Sequence, residues 1–139
     1  MADVHSKETR SFNMSRIRSK DTKPEMLVRK FLFSQGFRYK LHDKSLPGKP
    51  DIVLPKYKTV ILIHGCFWHG HEGCKYYVVP KTRTVWWTDK IRRNSVNDLK
   101  SFYGLQALGW KVITIWECKL KTKQLLATLN SLVENIKMR

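Results

Sequence analysis

Two cysteines and a group of histidines in one short segment, with a third cysteine further along the chain, suggest a metal site. Residues 64–74 read His-Gly-Cys-Phe-Trp-His-Gly-His-Glu-Gly-Cys, and Cys118 follows a segment with strand character. Three cysteines and one histidine form a common donor set of closed structural zinc sites, where four ligands surround the ion tetrahedrally. We therefore predict that Cys66, His71, Cys74 and Cys118 bind Zn²⁺. The alternative is that Cys118 is a buried core thiol and the other three residues are incidental.

Two further histidines of this segment, His64 and His69, are not needed for zinc. An imidazole titrates near neutral pH and can act as a general acid or base. A lone histidine is more often an ordinary buried or solvated side chain. Two of them beside an aromatic, metal-stiffened loop favour a catalytic role.

Acidic residues are scarce in this chain, so the position of Asp51 is informative. Asp51 begins one predicted strand and Ile63 lies near the end of the next, so a hairpin would bring the carboxylate close to the Ile63 backbone carbonyl. Carboxylate, carbonyl and phosphate oxygens suit Mg²⁺, which can promote hydrolysis of a phosphodiester. We predict a Mg²⁺ site here. Glu25 either holds a water on that ion or serves only as the acid of a helix capping box.

The elements that would position these residues follow from hydrophobic periodicity. Strands are predicted over residues 37–41, 51–54, 59–63 and 110–116, and helices over residues 22–36, 88–108 and 125–136. The long helix is expected to direct Ile91, Leu99, Phe102 and Tyr103 inwards. This order of elements predicts an α/β fold in which a mixed central sheet is flanked by helices.

Composition narrows the class of partner. The chain has 139 residues, with 27 Lys and Arg against 11 Asp and Glu, which gives a net charge of +16. The bases are spread among aromatic residues, a pattern that favours nucleic acid over a lipid surface. The hydrophobic content of 42% argues against disorder, and no apolar run is long enough for a membrane span. The first ten residues lack the apolar region of a secretory signal, so we expect a cytoplasmic protein.

The motifs of this sequence resemble those of one family of DNA repair enzymes. The most specific is His64-Gly65-Cys66-Phe67-Trp68-His69, joined by Pro50-Asp51, Pro80-Lys81-Thr82-Arg83-Thr84 with Trp87, and Trp116-Glu117-Cys118. Together they resemble the very short patch repair (Vsr) endonucleases over nearly the whole chain. The resemblance implies a restriction-endonuclease-like core. Residues 1–22 would form a basic DNA-binding arm, and residues 23–139 the nuclease domain.

The resemblance also implies an activity. Such an enzyme uses Mg²⁺ to nick one strand of double-stranded DNA on the 5′ side of the thymine in a T·G mismatch, left when 5-methylcytosine deaminates. It would work as a monomer, with mismatch-repair proteins of the MutL type as further partners. Two other hypotheses stay open at this stage: a restriction-type nuclease that cuts unmodified sites, and a zinc-containing DNA-binding module without catalysis.

The resemblance assigns roles to the residues of one site. They are Asp51 as the metal ligand, His69 as general base or acid, Asp98 as the residue that orients His69, and Glu25 and His64 as residues that hold water around the metal. Two departures matter. This chain has Ile63 where a threonine often stands, so only its backbone carbonyl is expected to bind Mg²⁺. The Glu-x-Lys half of restriction-enzyme sites is also absent, as it is in the family, so histidine chemistry would replace the lysine.

Recognition of a stacked T·G pair requires distortion of the duplex. Apolar side chains that enter between base pairs cost a few kcal/mol of unstacking, and less where pairing is imperfect. By resemblance, Phe67, Trp68 and Trp87 would enter from the major groove and Met14 from the minor groove. The alternative is that such aromatics fill the core, which we expect for Trp110 and Trp116.

Overall fold

The computed structural model describes residues 22–121 and 123–138 and contains three helices and four strands. In chain order they are α1 (Lys23–Ser34), β1 (Lys40–Leu41), β2 (Ile52–Leu54), β3 (Thr59–His64), α2 (Thr84–Ala107), β4 (Lys111–Trp116) and α3 (Leu125–Lys137). Short 3₁₀ turns cover Pro55–Tyr57 and Glu117–Leu120. The order predicted from the sequence is confirmed.

The four strands form one mixed sheet in the order β1-β2-β3-β4. β2 pairs antiparallel with both β1 and β3, whereas β3 pairs parallel with β4 from Thr59 opposite Lys111 to His64 opposite Trp116. A parallel pair needs a crossover connection, and α2 supplies it. The predicted hairpin that brings Asp51 towards Ile63 is therefore present.

Helices cover both faces of this sheet. The core on one face joins side chains of α1, α3 and alternate strand positions: Val28, Leu32, Ile52, Leu54, Ile61, Ile115, Leu129, Leu132 and Ile136. The core on the other face is smaller and joins Val53 and Val60 to Leu105 of α2. Successive strand residues point to opposite faces, so near-continuous apolar strands are expected in a sheet covered on both sides. The predicted mixed sheet flanked by helices is confirmed.

Helix α1 begins and ends where its sequence predicts. The Thr22 hydroxyl accepts a hydrogen bond from the Glu25 amide at 3.4 Å, as an N-cap residue does. Gly36 has a φ of +88°, and the Phe37 amide donates to the Leu32 carbonyl at 3.0 Å. This left-handed glycine closure satisfies a carbonyl at the helix end.

Two local predictions are corrected by the structure. The first strand pairs only at Lys40–Leu41 rather than over residues 37–41. The inner side of α2 is carried by Ile91 and Leu105, whereas Leu99 and Tyr103 are 57% and 63% exposed. At about 100° per residue, Leu105 lies about 40° from Ile91 around the helix, but Leu99 and Tyr103 lie about 80° and 120° away on its other side. The buried face of α2 is therefore one narrow stripe. The sequence did not show which stripe, because apolar residues occur on several sides of this helix.

The predicted arm, residues 1–22, lies outside the described residues except for Thr22. Among the residues that are described, none of the helices combines the length and the apolar character that crossing a bilayer requires.

Candidate active site and metal centre

A cavity of about 860 Å³ opens where β2 and β3 meet the start of α1 and the middle of α2. Its wall includes nine ionisable side chains. Three of them are Lys44, Lys49 and Glu117, and the other six are Glu25, His42, Asp51, His64, His69 and Asp98. Five of the six are residues for which the sequence or the resemblance predicts a catalytic role, and the structure brings all five together. His42 is the sixth.

Asp51 is held at the mouth of the β2–β3 hairpin. Its Oδ2 accepts a hydrogen bond from the Ile63 backbone N–H at 2.7 Å. The predicted proximity of these two residues is confirmed, and the contact is made by the amide of Ile63. Burial raises the pKa of Asp51 to about 6, and the negative charge of Glu25 adds to the rise, against the lowering effect of the Ile63 hydrogen bond. A bound cation would relieve the cost of burying this carboxylate.

The Glu25 carboxylate contacts two basic side chains, Arg29 and His42. Its side chain is 3% exposed, and Oε2 lies 2.9 Å from Arg29 Nη2 and 2.9 Å from His42 Nε2. One ligand atom from each of Glu25, His42 and Asp51 lies within 4.8 Å of the other two. The carboxylate therefore faces the cavity, in addition to the role of its backbone amide in the helix cap.

Sequence reasoning missed His42 and Arg29. Arg29 stands four residues after Glu25, which is the spacing of a helical ion pair. His42 directly follows β1, and its amide donates to the Asp51 carbonyl at 3.2 Å. The pairing of β1 with β2 therefore places His42 beside Asp51, and this pairing was not among the sequence predictions.

Two imidazoles and a carboxylate form the other side of the cavity. The rings of His64 and His69 stack with centroids 3.9 Å apart and planes 5° from parallel. His69 Nδ1 lies 2.6 Å from Asp98 Oδ2, which is the pairing that the resemblance implied. Burial, together with a smaller effect of His69, lowers the pKa of His64 to about 4, so His64 is neutral near pH 7. Its buried Nδ1 has no hydrogen-bond partner among the described residues.

The loop that carries His69 is fixed against α2. Asn94 Nδ2 donates to the Trp68 carbonyl at 2.8 Å, and Ser95 Oγ to the His69 carbonyl at 3.4 Å. Gly70 has a φ of +63°, and a Cβ there would lie 2.8 Å from Ile91 Cγ2. Only glycine combines this backbone conformation with so close an approach to the helix. The loop geometry thus depends on short-range packing as well as on any metal.

Three aromatic residues form one cluster next to the cavity. Ring centroids lie 5.2 Å apart for Phe67 and Trp68, 5.4 Å for Phe67 and Trp87, and 5.8 Å for Trp68 and Trp87. All three side chains are half-buried rather than part of either core. Met14, predicted to act opposite them, lies outside the described residues.

The two tryptophans expected in the core differ from each other. Trp110 is partly buried and packs against the smaller core, as expected. Trp116 is half-buried and stacks on His71, with ring centroids 4.1 Å apart and planes 6° from parallel. Its edge also faces His64 with ring centroids 5.2 Å apart, so the residue connects the cysteine cluster with the stacked imidazoles of His64 and His69.

The predicted zinc ligands converge. One ligand atom from each of Cys66, His71, Cys74 and Cys118 lies within 4.8 Å of the other three. The Cys118 amide donates to Cys66 Sγ at 3.3 Å, and Cys118 Sγ lies 3.5 Å from His71 Nδ1. Burial raises the pKa of the Cys66 thiol to about 12, so a thiolate there needs a cation beside it. The donor set and its convergence fit zinc.

Comparison with known proteins decides the family. Residues 2–75 match the family model described as DNA mismatch endonuclease Vsr. The chain belongs to the Vsr family. It is therefore an endonuclease of that family, and the resemblance seen in the sequence motifs is confirmed. A DNA-binding module without catalysis is set aside.

Relatives match over nearly the full chain. The type II nicking enzyme V.NmeAIP of Neisseria meningitidis serogroup A is 54% identical over 138 residues, 99% of this chain and 98% of the relative. The type II nicking enzyme V.XorIIP of Xanthomonas oryzae pv. oryzae is 44% identical over 136 residues, 98% of this chain and 97% of the relative. DNA mismatch endonuclease Vsr of Escherichia coli K12 is 46% identical over 124 residues, 89% of this chain and 79% of the relative.

Proposed function

We propose that this Vsr-family enzyme nicks one strand of double-stranded DNA on the 5′ side of the thymine in a T·G mismatch produced by deamination of 5-methylcytosine. The observation that carries the proposal is the cavity, in which Asp51 and Glu25 face the His64–His69–Asp98 group. Relatives named as nicking enzymes and as a mismatch endonuclease support both parts of the activity.

The residues at the cavity mouth fit Mg²⁺. Asp51 supplies a half-buried carboxylate whose raised pKa a cation beside it would lower, and Glu25 supplies a second carboxylate within reach. The Ile63 carbonyl, on the same residue as the amide that Asp51 accepts from, is the proposed backbone ligand. When bound, Mg²⁺ would polarise the scissile phosphate and lower the pKa of an attacking water.

The His69–Asp98 pair supplies the proton transfer. With its proton on Nδ1, His69 donates to Asp98 Oδ2, and Nε2 is left with a lone pair for a proton of water or, once protonated, with a proton for the leaving oxygen. Asp98 fixes this tautomer and ring orientation. His64 stacks on the same ring and is neutral at working pH, so it can hydrogen-bond water without repelling a cation nearby.

The aromatic cluster supplies the discrimination between mismatched and paired DNA. Phe67, Trp68 and Trp87 contact one another at the edge of the cavity, where a strand in the active site would pass. Their insertion would cost a few kcal/mol of unstacking per step, and less at a T·G pair. We propose that residues 1–22, including Met14, bind in the opposite groove of the DNA. The net charge of +16 favours binding to the DNA phosphates.

A comparison of three duplexes tests the proposal. Duplexes of one sequence that differ only in a T·G, C·G or T·A pair are incubated with the enzyme and Mg²⁺, and each strand carries its own label. We expect one nick, in the thymine strand of the T·G duplex, and none with an Asp51→Ala variant. Equal cutting of the C·G duplex would instead support a restriction-type nuclease, and cutting of both strands would refute a nickase.

A further inference from the structure

His42 stands in the cavity wall without a role in the proposed reaction. Its Nε2 lies 2.9 Å from Glu25 Oε2, and its ligand atom is within 4.8 Å of those of Glu25 and Asp51. His42 is half-buried and follows β1 directly, so its backbone position is tied to the sheet. These contacts place an imidazole nitrogen among the oxygens of the proposed Mg²⁺ site.

The backbone of His42 is in an uncommon conformation. Its φ is +47°, in the left-handed region that residues other than glycine seldom adopt. Such conformations cost of the order of 1 kcal/mol or more and persist where the surrounding structure holds them, often at functional sites. The amide of His42 donates to the Asp51 carbonyl at 3.2 Å, and this bond holds the turn beside Asp51.

Arg29 lies beside both Glu25 Oε2 and His42 Nε2, and this affects which hydrogen bonds these two atoms can make. Its Nη2 lies 2.9 Å from Glu25 Oε2 and 3.3 Å from His42 Nε2, and a guanidinium group can only donate. His42 Nε2 lies 2.9 Å from Glu25 Oε2, so without a metal Nε2 either carries a proton that it donates to Glu25, or carries a lone pair and accepts from Arg29. A divalent cation at this point would take the place of that proton, and Arg29 would still donate to Glu25 Oε2.

The spacing also suits one octahedral ion. Two ligand atoms bound at about 2.1 Å and at right angles to each other are roughly 3.0 Å apart. The His42 Nε2 to Glu25 Oε2 distance of 2.9 Å agrees with this edge. A ligand atom of Asp51, the third member of the group, lies within 4.8 Å of the other two, close enough for all three to approach one ion.

We propose that His42 is a direct nitrogen ligand of the divalent cation in this cavity, together with Asp51 and Glu25, which makes the site a mixed nitrogen–oxygen site suited to Mn²⁺ as well as Mg²⁺. The inference rests on the proposed cation site. Imidazole favours Mn²⁺ and later transition metals, whereas Mg²⁺ prefers oxygen ligands. The enzyme therefore binds Mn²⁺ more tightly, relative to Mg²⁺, than an all-oxygen site does.

Electron paramagnetic resonance of bound Mn²⁺ tests the ligand directly. The zinc-loaded protein is titrated with Mn²⁺, free Mn²⁺ is measured from its solution spectrum, and coupling to ¹⁴N is read by electron spin echo modulation. We expect ¹⁴N modulation from one imidazole in the parent protein. In His42→Asn it should disappear, and the Mn²⁺ dissociation constant should rise on the order of 10- to 100-fold. Asparagine is the variant of choice because it tolerates positive φ.

Two control variants separate the possible failures. His64→Asn removes a half-buried imidazole at the end of β3 and should leave the ¹⁴N modulation in place. Asp51→Asn should weaken Mn²⁺ binding strongly. If Asp51→Asn weakens binding while His42→Asn changes neither affinity nor modulation, the role of His42 is refuted and the cation site stands. If Asp51→Asn has no effect on Mn²⁺ binding, the proposed cation site itself is refuted.

Discussion

Replacing Asp51 with asparagine should stabilise the protein while it abolishes nicking. The carboxylate is buried beside Glu25, and its pKa is raised from 3.8 to about 6. A gap of about two pKa units corresponds to about 3 kcal/mol, by which the buried, ionised Asp51 lowers the free energy of unfolding at pH 8. Asparagine has a similar shape, can keep its oxygen towards the Ile63 amide and carries no charge. We therefore expect the variant to gain up to about 3 kcal/mol when no Mg²⁺ is present.

The stability gain of Asp51→Asn should increase with pH. The folded state holds the proton on Asp51 more tightly than the unfolded state, so the cost is absent below the unfolded pKa of 3.8 and is complete above about pH 6. The advantage of the variant should thus be about half as large at pH 5 as at pH 8. Because cation binding needs the ionised carboxylate, the Mg²⁺ concentration for half-maximal nicking by the parent should rise below about pH 6.

Urea unfolding followed by circular dichroism, with zinc retained and Mg²⁺ omitted, measures the gain. Asp89→Asn makes the same chemical change on an exposed side chain of α2 and should leave stability within about 0.5 kcal/mol. Added Mg²⁺ should stabilise the parent and not Asp51→Asn, since a ligand of the folded state stabilises by mass action. If Asp51→Asn is no more stable than the parent at pH 8, or gains equally at pH 5, the burial cost assigned to Asp51 is wrong.

Four other substitutions address the remaining parts of the site. His69→Ala should slow nicking of a T·G duplex by about 10²- to 10⁴-fold and Asp98→Asn by less, in single-turnover assays, because Asp98 acts only through His69. Equal rates for parent and variants would contradict this assignment. Cys118→Ser should lower the zinc content, measured by plasma mass spectrometry, below one ion per chain, and an unchanged content would remove Cys118 from the site. Trp68→Ala should keep the circular dichroism spectrum but lose the preference for T·G over C·G duplexes, whereas Trp110→Phe, a conservative control outside the aromatic cluster, should keep that preference.

Much of the site could be predicted because its parts are close in sequence or linked by strand ends. Cys66, His71 and Cys74 lie within nine residues of one another, so their convergence depends on a single loop. Asp51 and Ile63 are brought together by a hairpin. Two apolar runs and the turn between them predict this hairpin. Periodicity and turn residues are the signals that sequence reasoning can read directly.

The features that were missed depend on tertiary packing. His42 sits in a left-handed turn that its own side chain gives no reason to expect. Arg29 resembles any basic residue on an amphipathic helix until α1 packs and leaves it 7% exposed. The exposure of Leu99 and Tyr103 likewise depends on which stripe of α2 meets the sheet. Apolar residues on several sides of a long helix do not specify that stripe.

The parallel register of β3 and β4 explains why the proposed zinc ligands and the proposed catalytic histidines share one segment. His64 is opposite Trp116, so Cys66 and Cys118, each two residues further, leave the sheet side by side, and the Cys118 amide donates to Cys66 Sγ at 3.3 Å. Between two residues of the cluster, Cys66 and His71, lie Phe67, Trp68 and His69, which are proposed to act on DNA. Zinc bound by this cluster would therefore fix both ends of the loop of residues 66–71. The core of the sheet is formed by residues outside this loop. Removal of zinc should consequently abolish nicking at chelator concentrations that leave most of the secondary structure intact.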